Sequence, residues 1–446
     1  MTPRTETPSS RTSAAPPAPA PTAAAAPPAA GTGPTLPRPG SPAAPRRGLV
    51  ALLAFAIIGA GAAQMSAALL TLTLKATALD AASAATTISI SSAIAGALTL
   101  VALPTVGALS DRSRSRLGRR RPFLLFGALA FAAGGTALVL APGVPALVLA
   151  HLLLTLGFVT AHVTVTALMT DQLPARRRGV ATALISMSTA LGALLGMAVS
   201  VPFGDALVPL VGIPTLFAVA GMTTLALAVR DPQRTQVPPR LDLRRTLGLF
   251  WVDPRRHASF TWVFTSRMLV FSGVAALNAY QAIFLLQRLG MEPARLGGAI
   301  LLTVIVNAGI TLLVAPLVGR LSDRLDVRKP FVLAAALILA LGLVLAASAP
   351  SFGFYLVACT VVGLGQGVYF SVELSLATQV LPDPENPGKD LGILKIADNL
   401  PVTIVAAVAP ALLAIGGGQN FAALFLAGAL AAVAGGLAIT LVRGAR

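Results

Sequence analysis

The sequence predicts an all-α integral membrane protein of twelve transmembrane helices, arranged as two pseudo-symmetric six-helix bundles with both termini cytoplasmic. Three observations carry that prediction. The chain has 446 residues, 55% hydrophobic and only 11% charged, where a soluble domain carries about 25% charged residues. Apolar runs of about 18 residues or more recur without period-two alternation, so they read as helices rather than barrel strands. Lastly, the polar bridge Val106–Phe123, VGALSDRSRSRLGRRRPF, returns roughly two hundred residues later as Val318–Phe331, VGRLSDRLDVRKPF.

Taken in order, residues 1–47 are Pro, Ala, Thr and Ser with scattered Arg. Such a composition buries no core, which predicts a disordered cytoplasmic tail. No apolar stretch behind a basic start marks it as a signal peptide. Apolar segments follow at 48–74, 84–109, 123–141, 146–170, 179–201, 207–229, 258–286, 296–318, 331–349, 352–378, 391–415 and 420–442. Most approach or exceed the ~20 residues that cross ~30 Å of hydrocarbon as helix. The two shortest, the third and the ninth, each follow a copy of the bridge. A second echo aligns Leu156–Pro174, LGFVTAHVTVTALMTDQLP, with Leu364–Pro382, LGQGVYFSVELSLATQVLP. The chain therefore divides into a first bundle at 48–229, a cytoplasmic connector at 230–257 and a second bundle at 258–446.

Charge fixes the expected orientation. With the N-terminus inside, almost all of the 33 Lys and Arg fall on the cytoplasmic side, and only Lys75, Arg288 and Arg295 fall outside. The net charge of +17 is thus read as topology in a cell-membrane protein whose surroundings are the lipid bilayer, and no nucleic-acid partner is expected. The single cysteine, Cys359, excludes an internal disulfide and a cysteine metal site. It reads as a small hydrophobe within an apolar run.

Twelve spans, a six-plus-six repeat and a G-x-x-x-D-R bridge between spans two and three resemble the major facilitator superfamily, with Gly107, Asp111, Arg112, Arg119 and Arg120 matching its pattern. The spacing D-R-x-x-x-R-x-G-R-R-R-P-F is more particular, and resembles the glycoside–pentoside–hexuronide:cation symporters and the related sucrose–proton symporters. Leu381–Pro401, LPDPENPGKDLGILKIADNLP, resembles the same segment in actinobacterial relatives of that group. The resemblance implies the major facilitator fold and secondary active transport by alternating access. A small-molecule solute, with protons, is then the expected partner.

The bridge has its own physics. Gly107, and Gly319 in the second copy, allow close helix approach. Asp111 can accept from the N-terminus of a neighbouring helix, where the dipole favours an anion; the resemblance implies that this is helix eleven near Leu391. Arg112 can pair with Asp171 at the end of helix four. By symmetry Asp323 would meet the start of helix five near Arg178 and Gly179. Arg324 lacks a matching acid, because Gln379 aligns with Asp171. These residues are read as a cytoplasmic latch.

Polar groups in hydrocarbon are costly, so those that remain are candidates for function. Helix ten carries Gln366, Tyr369 and Glu373 at i, i+3, i+7. Glu373, roughly 13 Å below that helix end, is the first candidate for proton coupling; the alternative is a permanent pair with Arg267 or Lys395. Asp398 and His162 are further coupling candidates. For Asp398 the plainer reading is a local pair with Lys395, and for His162 a fixed hydrogen bond. His151, near the outer end, reads as interfacial. Gln64, His162, Asn278, Gln281, Asn307, Gln366, Tyr369 and Asn399 are the candidate ligand-binding residues, since neutral amides and hydroxyls suit a polyhydroxylated ligand. Each could equally be glue between helices.

The function expected is therefore proton-coupled uptake of a sugar or glycoside. With aromatics at only 5%, export of a drug-like or amphipathic metabolite is the alternative. The helix-five run from Gly192 to Ser200 lacks the proline and glycine pair typical of drug–proton antiporters. A non-transporting sensor is a distant third. No P-loop, H-E-x-x-H or G-x-S-x-G occurs, and His151, His162 and His257 form no metal-ligand spacing. Neither an enzyme nor a cofactor or metal site is expected.

Overall fold

Proline and the basic bridges set the helix starts. In a computed structural model, which describes residues 48–229, 231, 252–382 and 387–442, Pro122 and Pro330 each sit in the first turn of the helix that their bridge opens. A missing N–H costs nothing there. Among the described residues the long helices are twelve: α1 Leu49–Leu79, α2 Ala84–Arg112, α3 Arg121–Leu140, α4 Val144–Gln172, α5 Ala175–Ala198, α6 Leu207–Ala228, α7 Ala258–Gln287, α8 Pro293–Leu325, α9 Lys329–Ala347, α10 Phe352–Thr378, α11 Pro387–Ala414 and α12 Phe421–Ala438. A short turn of helix, Ser200–Phe203, follows α5. Eleven of the twelve are long and apolar enough to cross a bilayer; among the described residues, the apolar stretch around α5 runs only from Met187 to Phe203.

The helix pairs repeat. α1 packs on α5 and α6, α2 on α4, and α3 on α4 and α6. Six helices later the same pairs recur, with α7 on α11 and α12, α8 on α10, and α9 on α10 and α12. Pro104 in α2 and Pro316 in α8 hold matching places, each six residues before the Ser of its LSDR run. Membrane helices tolerate such prolines because neighbouring elements satisfy the freed carbonyls. Within the first bundle α1 and α5 touch backbone to backbone. A Cβ on Gly192 would lie 2.4 Å from the Ile58 carbonyl oxygen, and one on Gly196 2.5 Å from that of Ala62. This spacing of small residues is a packing seam.

The bundles meet through α2 on α11 and, more sparingly, α5 on α8. Polar contacts join them at the end away from the bridges. Ser89 Oγ and Tyr280 Oη are 2.6 Å apart, and Gln287 Nε2 donates to the Ala81 carbonyl at 2.7 Å. Leu129, Leu227, Leu312 and Leu430 stand two-thirds exposed or more. An apolar belt of that kind suits lipid, not water. One irregularity interrupts α1, a π turn at Ala67–Thr71. It lies where α1 passes the cavity described next.

Candidate functional site

A cavity of about 510 Å³ lies between the two bundles. The first bundle contributes Gln64 from α1, Ser92 and Thr99 from α2, and His151, Thr155 and Phe158 from α4. The second contributes Asn278 and Gln281 from α7, Thr303 and Asn307 from α8, Cys359 from α10, and Asp398 and Asn399 from α11. Five predicted ligand-binding residues are thus brought together: Gln64, Asn278, Gln281, Asn307 and Asn399. Thr303 Oγ1 lies 3.2 Å from Gln281 Oε1, and Gln64 Nε2 donates to Thr155 Oγ1 at 3.3 Å.

Three of the eight predicted residues do not line the cavity. His162 continues the α4 stripe of 151, 155 and 158, but α5 covers it at that depth. Its Nε2 lies 3.3 Å from Thr189 Oγ1, and its ring meets the edge of Phe158 at 4.6 Å. Tyr369 is buried behind Phe271, edge-on at 6.0 Å, and it is Phe271 that faces the cavity. Gln366 shares that helix, which among the described residues reaches the cavity only at Cys359. Conversely, His151 is not interfacial. It is 3% exposed, and its Nδ1 lies 2.8 Å from Ser91 Oγ.

At one margin of the cavity the neutral lining gives way to charge. The Arg267 guanidinium of α7 donates through Nε to Asp398 Oδ1 at 2.5 Å and through Nη1 to Glu373 Oε2. It also lies over the Phe271 ring, 5.4 Å from its centroid. Both Arg267 and Glu373 are more than nine-tenths buried, where a charge is costly unless an opposite charge is paired with it. Asp398 lines the cavity, and Glu373 lies behind it. The expected Asp398–Lys395 pair cannot be placed, because the Lys395 side chain lies outside the described residues; among the described residues Asp398 is engaged by Arg267.

The first bridge forms a second charged cluster. Arg120 is 3% exposed and donates to Ser110 Oγ at 2.5 Å, Asp111 Oδ1 at 2.6 Å and Asp171 Oδ2 at 3.1 Å. Arg119 reaches Asp171 as well, at 2.5 Å. The expected Arg112–Asp171 pair is therefore replaced. Arg112 ends α2, and the chain then folds back so that the later arginines occupy the gap between α2 and α4. Arg112 makes no ion pair among the described residues. Gly118 makes the fold-back at φ +110°, and a Cβ there would fall 2.5 Å from Asp231 Oδ2. Asp231, the first connector residue described, accepts from the backbone N–H of Arg120 and, at 2.9 Å, of Arg121. It thereby caps the start of α3.

The second bridge is sparer. Arg328 donates to Asp323 Oδ1 at 2.7 Å and to Ser322 Oγ at 2.8 Å. The expected partners of Asp323 around Arg178 and Gly179 have side chains outside the described residues, as does Leu391, expected near Asp111. Arg324 makes no ion pair among the described residues. Nor do the bridge glycines work as expected: a Cβ on Gly107 would meet Val163 Cγ1 at 3.7 Å, and one on Gly319 Ser371 Cβ at 3.8 Å. These are ordinary contacts, so neither helix pair is packed tightly enough to demand glycine.

The family model described as Major Facilitator Superfamily matches residues 54–314 and 300–446. The chain belongs to the major facilitator superfamily. That membership makes it a transporter and not an enzyme. No curated protein matches it in sequence. Among solved structures it is similar to a mutant of the peptide transporter POT in complex with alafosfalin, at 17% identity and a TM-score of 0.67 over 89% of this chain and 96% of that one. A mutant of the nucleoside transporter NupG gives 13% and 0.65 over 89% and 100%. The inward-open xylose transporter XylE from E. coli gives 18% and 0.61 over 89% and 96%. At these identities the likeness is one of fold.

Two features of this major facilitator protein escaped the sequence. His151 carried a signal, since it begins the i, i+4, i+7 stripe that Thr155 and Phe158 continue. Asp231 carried none, because its partners are backbone amides 110 and 111 residues earlier.

Proposed function

We propose that this major facilitator protein imports a neutral, polyhydroxylated solute, a sugar or glycoside, coupled to protons. One observation carries the reading: a cavity lined by Gln64, Asn278, Gln281, Asn307 and Asn399 that runs up to Asp398, itself tied through Arg267 to Glu373. Uncharged amides recognise hydroxyl groups by exchanging hydrogen bonds. A carboxylate beside them can take up a proton in one state and yield it in another. Arg267 holds two carboxylates, so protonating either leaves the other paired. Asp398 is the proton's entry point, and Glu373 the acid behind it. Coupling follows from linkage: protonation that favours one state of the carrier lets a proton gradient drive the solute uphill.

The bundles rock about this midplane cavity. Ser89–Tyr280 and Gln287–Ala81 close the end away from the bridges and part when that end opens. The bridges stand on the cytoplasmic side with both termini, where the Lys and Arg concentrate, and latch that side. The D-R-x-x-x-R-x-G-R-R-R-P-F spacing supports placement near the glycoside and sucrose symporters. The fold neighbours are named for peptides, nucleosides and xylose, so the fold alone selects no solute. A second reading, export of an amphipathic metabolite, draws on the apolar part of the lining, including Met65, Leu69, Phe158, Phe271 and Val304.

The test is uptake of radiolabelled sucrose, maltose and methyl β-D-xylopyranoside into proteoliposomes, with and without an imposed pH gradient. Gradient-driven accumulation of one of them, lost in Asp398→Asn and Glu373→Gln while counterflow persists, is the expected result. Gradient-driven accumulation that survives both substitutions removes the cluster from coupling. An absence of sugar uptake, with extrusion of an amphipathic cation from inverted vesicles, selects the second reading.

A further inference from the structure

The first bundle's wall of the cavity holds two polar groups that have no partner among the described residues. His151 Nδ1 is 2.8 Å from Ser91 Oγ, and Ser91 is fully buried. Among the described residues that hydroxyl has no other partner, so its proton has one acceptor within reach, the Nδ1 lone pair. A buried hydroxyl left without an acceptor is costly. The neutral ring must then carry its own hydrogen on Nε2. Nε2 has no partner among the described residues, and His151 lines the cavity. One helical turn along α4, Thr155 Oγ1 donates to the His151 carbonyl at 2.9 Å and accepts from Gln64 Nε2 at 3.3 Å. This fixes the Gln64 amide by its nitrogen. Among the described residues Gln64 Oε1 is left buried without a partner, in a side chain that also lines the cavity and is 7% exposed.

We propose that His151 Nε2–H and Gln64 Oε1 form a donor–acceptor pair that reads hydroxyl groups of the transported solute, with His151 acting as a neutral donor and not as a proton carrier. The inference deepens the proposed sugar transport and rests on it. A hydroxyl accepts from Nε2–H through its oxygen and donates its proton to Oε1. An ether, a halide or an aliphatic group cannot do both. Ser91 and Thr155 are positioning residues: the first sets the tautomer, the second the amide orientation. A purely structural His151, a tie between α2 and α4, would need Nδ1 only.

The test uses the full chain in proteoliposomes and the panel sugar carried best by the unsubstituted protein. His151→Leu is expected to raise KM about tenfold, the loss of one net hydrogen bond, with a smaller change in kcat. His151→Gln, whose amide still donates, should lose less. Deoxy analogues of that sugar should include one that binds about tenfold more weakly to the unsubstituted protein but shows no further loss on His151→Leu. An unchanged KM in His151→Leu overturns the inference and leaves the sugar reading standing. Should no panel sugar be carried, the sugar reading falls, and the donor is judged on the ring itself. With 15N-labelled histidine, the NMR spectrum of the full chain should show His151 as the Nε2–H tautomer, disturbed in Ser91→Ala. An Nδ1–H or doubly protonated ring overturns the inference whatever is transported, and does so even if His151→Leu fails to fold.

Discussion

The two bridges share a sequence and differ in how firmly they are held. Each builds the same clasp, in which an arginine, Arg120 or Arg328, donates to the Ser and Asp that precede it in its LSDR run. Each also ties its next residue to the end of its bundle. Arg121 donates to the Val229 carbonyl at 2.5 Å, and Lys329 to that of Val442 at 2.6 Å. The first bridge then gains two outside acids. Asp171 takes the Arg120 Nε, and Asp231 caps α3. In the second, Gln379 stands at the place of Asp171, and Gly444 is where Asp231 would be. The consequence is visible at one atom. Arg328 Nε is buried and has no partner among the described residues. A motif therefore specifies the clasp, while residues scattered elsewhere decide whether the clasp binds one bundle's helices together.

Five substitutions break or sharpen this contrast, read as apparent stability of purified protein in detergent. Arg120→Gln has the largest expected effect, because it strips Ser110, Asp111 and Asp171 at once. Asp111 and Asp171 remain partly open to water, so the loss is about 2 kcal/mol and not the larger figure of a sealed pair. The corresponding Arg328→Gln should cost visibly less, and an equal cost would mean that Asp171 adds nothing. Asp171→Gln turns the first bridge into a likeness of the second and should cost about 1 kcal/mol. Asp231→Ala removes a cap from two backbone amides, a loss of similar size, about 1 kcal/mol. If melting of that variant matches the parent, the connector's tie to α3 carries no energy. Gln379→Asp works in the opposite sense. It offers Arg328 Nε a partner and should raise stability by about 0.5 kcal/mol.

The fold was legible because hydrophobic length and basic-residue placement are properties of single segments, and because each half predicts the other. The cavity was legible in part. Gln64, Asn278, Gln281, Asn307 and Asn399 were found by asking which polar groups lie at mid-membrane. Tyr369 and His162 satisfied the same question and failed, since depth does not reveal whether Phe271 or α5 intervenes. Arg267 could be named as a cation available to Glu373, but its division between Glu373 and Asp398 depends on how α7, α10 and α11 converge. The exchange of Arg112 for Arg119 and Arg120 depends on a fold-back through Gly118, whose positive φ leaves no mark in the sequence beyond a glycine.

The π turn in α1 has a consequence of its own. Each residue advances an α-helix by about 100°, so one residue accommodated at Ala67–Thr71 rotates everything beyond it by about that angle relative to an uninterrupted helix. On one side of the turn α1 offers Gln64 and Met65 to the cavity. On the other it buries Leu72, Leu74 and Ala76. The two stretches are indexed against each other by a single residue. Deleting one of the five would leave every other side chain present and turn the far quarter of α1 away from its neighbours, as a key cut one notch out of phase no longer meets its pins.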